Sequence, residues 1–216
     1  RAPRRQHQPC LEKKRSPSAA DFAYFDKPFR VADTVLIARP AVMPASMSMQ
    51  TDLRLDPLTG FDFAAVAALA DTIWRSHYGT MISMAQIDYM LAGRYAPERL
   101  RAYVDSDERW MWLLRVDDIT VGYCSCSLGE SEDEMKLEQL YLSSAHKGKG
   151  LGGRMLRHVE EKSRAQGRSR LYLTVNKGNT DSIAIYRKSG FVVRGEAVFD
   201  IGNGYVMDDY VMEKRL

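Results

Sequence analysis

The chain has 216 residues, with 31 Lys and Arg against 28 Asp and Glu, and 45% of it is hydrophobic. That is ample for one core, and no apolar run approaches the ~20 residues of a membrane-spanning helix. The net charge of +3 is unevenly spread: residues 1–50 carry nine basic and four acidic side chains, or +5, which leaves −2 for residues 51–216. The basic balance is thus no sign of a nucleic-acid surface on the larger part, and neither nucleic acid nor membrane is expected as a partner.

Residues 1–50 mix Arg, Pro, Ser and Gln without sustained periodicity, and are expected to be a disordered or processed N-terminal extension. Only Thr34 to Ala38 reads as a strand there, with nothing nearby to pair it. The folded unit is expected over residues 51–216. It opens with a short strand, Leu53 to Leu55. Pro57 and Thr59 then introduce a helix from about Phe61 to His77, in which Phe63, Val66, Ala67, Ala70, Ile73 and Trp74 recur at helical spacing. Ser83 caps a second helix from Met84 to about Ala92, and Pro97 opens a short third one. Trp110 to Val116 and Ile119 to Leu128 are strands joined by Asp117-Asp118, a hairpin turn. Cys124 and Cys126 lie two apart on the second of these, so they share a strand face as buried thiols rather than forming a CxxC pair. His7, His77, His146 and His158 lack partners at ligand spacing, and no metal is expected.

An acidic turn, Gly129 to Glu134, leads to the apolar strand from Leu137 to Leu142. A glycine-rich cationic loop follows, Lys147-Gly148-Lys149-Gly150-Leu151-Gly152-Gly153, and opens a helix that runs to about Gln166. A helix start presents unpaired N–H groups and the positive end of the peptide dipole, and glycines let an anion approach them closely. The loop is therefore built to hold an anion, and a pyrophosphate is expected. A Walker loop requires Gly-Lys-Ser/Thr at fixed spacing, which is absent. Gly148, Gly150 and Gly153 match the dinucleotide fingerprint literally, but the strand about 20 residues on, Leu171 to Asn176, lacks the carboxylate that motif requires. Lys147-x-x-Gly150-x-Gly152 instead resembles the Arg/Gln-x-x-Gly-x-Gly/Ala motif of the GCN5-related N-acetyltransferases, with Lys147 in place of the usual Arg or Gln. Asn179 or Thr180 starts a helix that Gly190 stops, and the chain ends in a hairpin around Gly202-Asn203-Gly204. Here Asn179-x-x-Ser182-x-x-x-Tyr186-x-x-x-Gly190-Phe191 is similar to a second segment of the same family. The Trp74/Tyr78 pair, Gln86-x-x-Tyr89-Met90-Leu91 and Asp208-Asp209-Tyr210-Val211-Met212 look most like its PaiA-type branch, whose members acetylate polyamines.

The resemblance implies an α/β (α+β) fold with a mixed, mostly antiparallel central sheet flanked by helices, the acyl-CoA N-acyltransferase fold, over residues 51–216. It implies acetyl-CoA as cosubstrate, with no metal, and direct transfer to a primary amine of a small, polyamine-like acceptor. The alternatives are a protein or peptide acceptor, and a regulator that binds acetyl-CoA without transfer. A cytoplasmic monomer or homodimer is expected. Cofactor contacts are implied for Leu140, Tyr141 and Leu142, for Lys147, Gly148, Lys149, Gly150, Leu151, Gly152 and Gly153, and for Asn179, Tyr186 and Lys188. Trp74, Tyr78, Met81, Gln86 and Met90 are candidates for the acceptor pocket or for plain core packing. Tyr186 is the candidate general acid for the leaving thiolate, and a backbone N–H near Leu140 to Leu142 the donor to the carbonyl oxygen. Glu138, which simple alternation puts on the face of Leu140 and Leu142, is the candidate base; a water chain, or pairing with a nearby cation, is the alternative. Thr174 stands where some relatives carry a Glu and cannot serve at neutral pH.

Overall fold

Apolar strand segments and helical apolar stripes divide the chain into strands and helices. The structure, a computed structural model, describes residues 51–216; the expectation for residues 1–50 lies outside them. In chain order the elements are β1 (Leu53–Pro57), α1 (Phe63–Tyr78), α2 (Met84–Arg94), α3 (Pro97–Arg101), β2 (Arg109–Val116), β3 (Ile119–Leu128), β4 (Glu134–Leu142), α4 (Leu151–Ala165), β5 (Arg170–Asn176), α5 (Thr180–Lys188), β6 (Val192–Gly202) and β7 (Tyr205–Arg215). A 3-10 turn at Gly60–Asp62 takes the start that was expected for the first helix, closed by a capping box between Thr59 and Asp62. At the β2–β3 turn Asp117 and Asp118 are both left-handed (φ 48° and 66°), which matches the right-handed twist of the two strands.

The strands form one sheet in the order β1-β2-β3-β4-β5-β7-β6. Neighbours are antiparallel except β4 and β5, which run parallel and are joined by the crossover helix α4, as a parallel pair must be. The mixed, mostly antiparallel sheet flanked by helices agrees with the expected class. Each face has its own core. On one, α4 and α5 bury Met155, Val159 and Ile183 against Cys124, Cys126, Leu137 and Leu173. On the other, α1, α2 and α3 bury Val66, Trp74, Ile87 and Leu100 against Met111, Leu113 and Tyr123. The shared face expected for the two strand thiols is therefore correct, and burial pushes the Cys126 thiol up to about 12.

Two irregularities set up the site. Pairing of β4 with β5 covers only Glu134 to Lys136 against Arg170 to Tyr172. Beyond that the strands part, so the facing backbone groups of both have no sheet partner in the wedge. The second is a β-bulge in β4. Ser125 faces Gln139 and the next residue, Cys126, faces Leu137, so Glu138 is the extra residue. The bulge corrects the expectation from simple alternation. Leu137, Leu140 and Leu142 pack on the α4 side. Glu138 instead turns to the opposite side, where its carboxylate accepts a hydrogen bond from Tyr103 (2.7 Å) beside Gln139, which accepts from Tyr95 (2.9 Å).

Candidate active site

The wedge between β4 and β5 opens into a cleft of about 740 Å³. One end is made by the glycine loop. Gly148 and Gly150 have φ of 77° and 74°, a region that glycine enters without steric cost, and the left-handed Gly150 is the N-cap of α4. A Cβ added at Gly148, Gly150 or Gly152 would meet nothing within 4 Å, so no side chain of this loop and no neighbouring atom covers the backbone there. Lys147, Gly148, Gly150, Leu151, Gly152 and Gly153 all line the cleft. This set fits the diphosphate of a coenzyme A thioester: free backbone donors, a helix dipole and one cationic side chain. Lys149 and Lys188 are exposed and lie outside the cleft wall.

The middle of the cleft is bounded by Leu140, Tyr141 and Leu142 on β4 and by Asn179 and Tyr186 on α5. Asn179 is buried, and its side chain caps α5 by accepting from the Ser182 N–H (3.4 Å). It thus holds the helix that carries Tyr186. The Tyr186 ring packs edge-on against Phe191, with ring centroids 5.5 Å apart. Burial, and to a lesser degree Tyr78, push its phenol up, so it stays protonated. That is the state a proton donor requires.

At the other end, α1 and α2 close over the sheet. Trp74, Tyr78 and Met90 line the cleft, as the helix spacing allowed, whereas Met81 and Gln86 do not; the Gln86 side chain donates instead to the Met207 sulfur (3.5 Å). Trp74 packs on Tyr78 (5.1 Å) and on Tyr141 (5.6 Å), and the hydroxyls of Tyr78 and Tyr141 are 3.2 Å apart. The rings of Trp74, Tyr78 and Tyr141 thus form one aromatic wall.

Among the cleft-lining side chains that the sequence did not single out are His77, Arg94, Lys136 and Asp209. His77, at the end of α1, is held below its ordinary value by burial and then by the charge of Lys147. Arg94 ends α2, and its guanidinium lies 5.9 Å from the Trp74 ring centroid. Lys136 lies where β4 leaves β5. Asp209 on β7 pairs with Asn176, the last residue of β5. It is 6% exposed, lines the cleft, and one carboxylate oxygen has no hydrogen-bond partner among the described residues. Burial, and to a lesser degree the charge of Asp208, push its carboxyl up, against the pull of Arg94 and of Lys136. A signal was present in the alternation of β7: Asp209 shares a strand face with Met207 and Val211, an unusual place for a carboxylate without a function or a partner.

The comparisons agree with this geometry. The model of the acetyltransferase (GNAT) family matches residues 69–191. Streptothricin acetyltransferase of Streptomyces lavendulae is 29% identical over 91 residues, 42% of this chain; the match spans about half of that protein, 48%. An uncharacterized N-acetyltransferase of Mycobacterium tuberculosis is 28% identical over 134 residues, 56% of this chain and 85% of its own. Among solved structures, the PaiA N-acetyltransferase of Thermoplasma acidophilum, in complex with coenzyme A, aligns with a TM-score of 0.66 and 20% identity, over 76% of this chain and 99% of that one. It shares the fold, including the seven-stranded mixed sheet. With more than half of its length matched by the family model, and with the glycine loop and the Asn179-to-Tyr186 helix converging on one cleft, the chain belongs to the acetyltransferase (GNAT) family.

Proposed function

We propose that the protein transfers the acetyl group of acetyl-CoA directly to the primary amine of a small molecule. The observation that carries this reading is a single cleft that joins a glycine-rich helix start, an unpaired edge of β4 and a half-buried phenol that stays protonated. The glycine loop and Lys147 bind the diphosphate, and the pantetheine arm enters the wedge and bonds to the free edge of β4. A backbone N–H in the stretch from Leu140 to Leu142 polarises the thioester carbonyl. The amine nitrogen attacks the carbonyl carbon and the C–S bond breaks. Tyr186 gives its proton to the departing thiolate, and Glu138, directly or through water, takes the proton that the amine loses. The Tyr103 hydroxyl, donating to Glu138, fixes the position of that carboxylate, which lines the cleft.

A small acceptor is favoured over a protein because the aromatic wall encloses the acceptor end. Polyamines, the acceptors of the PaiA-type branch, belong on the first panel to be tried, together with amino acids and peptides. We infer a cytoplasmic reaction, a reading consistent with the buried unpaired thiols Cys124 and Cys126; no helix among the described residues is long and apolar enough to cross a membrane. The test is release of free thiol from acetyl-CoA across the panel, with product mass measured. Acetylation of a free small amine supports the reading. Acetylation of peptides alone would replace the acceptor class, and tight acetyl-CoA binding without any transfer would make the protein a sensor.

A further inference from the structure

The acceptor end of the cleft carries charges of both signs on one sheet face. Lys136 and Glu138 come from β4, Asp209 from β7, and Arg94 reaches in from the end of α2. Arg94 and Lys136 have no carboxylate within ion-pair distance among the described residues, although both act electrostatically on Asp209. By contrast, Lys177, immediately after β5, is bound by Asp208 and Glu196, and Arg115 on β2 by Asp56 and Asp62. Asp209 is the complementary case: a carboxylate that is 6% exposed, with one oxygen unsatisfied. A buried carboxylate oxygen without a donor is costly, and it is retained where a ligand supplies the donor.

From this arrangement we infer that the acceptor is zwitterionic, a small amino acid whose ammonium group docks on Asp209 and whose carboxylate is held by Arg94 with Lys136. This rests on the proposal that the cleft transfers acetyl groups to amines. A guanidinium fork matches a carboxylate in two parallel hydrogen bonds, which an ammonium-only ligand leaves unused. A polyamine would satisfy Asp209 but bring its remaining positive charges against Arg94 and Lys136, a like-charge contact that discriminates against it.

The experiment compares acceptors that differ only in the carboxylate: lysine with cadaverine, ornithine with putrescine, and methionine with 3-(methylthio)propylamine. The carboxylated member of at least one pair is expected to have a kcat/KM about 10-fold or more above its partner, in the range of one charge-assisted hydrogen-bonded pair. Replacing both cations, with Arg94→Gln and Lys136→Gln, is expected to bring that ratio near one, mainly by raising KM for the amino acid. Arg94→Lys alone should keep part of the preference. Calorimetric binding of acetyl-CoA to each variant shows that the fold survives. Equal or better turnover of the decarboxylated amines overturns the inference, as does an unchanged ratio in the double variant. No turnover of any pair while acetyl-CoA still binds also overturns it and leaves the cofactor assignment standing. Failure of the wild-type protein to bind acetyl-CoA would remove the underlying proposal instead.

Discussion

Deleting a single oxygen separates the roles open to Tyr186. Tyr186→Phe keeps the ring against Phe191, so stability is expected to hold. If the phenol protonates the thiolate, kcat falls by roughly 10²–10⁴-fold with acetyl-CoA affinity nearly intact; a raised KM at constant kcat would make it a binding residue only. Asp209 yields the opposite pattern. Its carboxyl is raised on folding, so the folded chain binds that proton more tightly than the unfolded one. Its ionisation therefore costs stability as pH rises through the ordinary carboxylate range to the raised value, and the cost is fully present above that. Asp209→Asn is expected to raise Tm by about 2–4 °C near neutral pH, a gain of order 1 kcal/mol, and to lose that gain in acid, while acetyl transfer drops. Parallel Tm curves at all pH values would show that Asp209 carries no folding cost.

Among the elements, the start of α4 is the most exposed to a clean test. Gly150 is left-handed, so any side chain there strains the backbone as well as filling the site. Gly152 is within the helix, without a positive φ, and its missing Cβ faces open space in the cleft. Gly152→Glu accordingly puts bulk and like charge against the diphosphate at little cost to the fold. Acetyl-CoA binding measured by calorimetry is expected to vanish while the far-ultraviolet circular dichroism spectrum is unchanged. Retained binding would mean that the loop is not the diphosphate site. The bulge in β4 acts at the same scale: one extra residue carries Glu138 to the acceptor face beside Gln139 and restores Leu140 and Leu142 to the α4 side.

For the molecule as a whole, residues 51–216 bury two cores on the two faces of one sheet and contain every residue assigned to the cleft. A chain lacking residues 1–46 is therefore expected to melt at an unchanged temperature and to keep its acetyl-transfer rate. A large loss of either would show that those residues contribute to the domain.

The amino-acid sequence by itself determined the element order, the glycine loop at the start of α4 and the α5 segment, because glycine placement, helix periodicity and capping are local properties. It also singled out Tyr186 as a candidate, whose neighbours at fixed spacing lie on one helix. Only the tertiary structure decided where Glu138 points: the alternation of β4 slips by one between Leu137 and Leu140, but which residue is the extra one depends on how β3 and β4 pair. It likewise decided that Met81 and Gln86 stay out of the cleft. Asp209, Arg94, Lys136 and Glu138 come to the cleft from three elements separated by up to 115 positions in the chain (Arg94 to Asp209). The charge balance of the acceptor end is a sum over those elements, and no local pattern contains it.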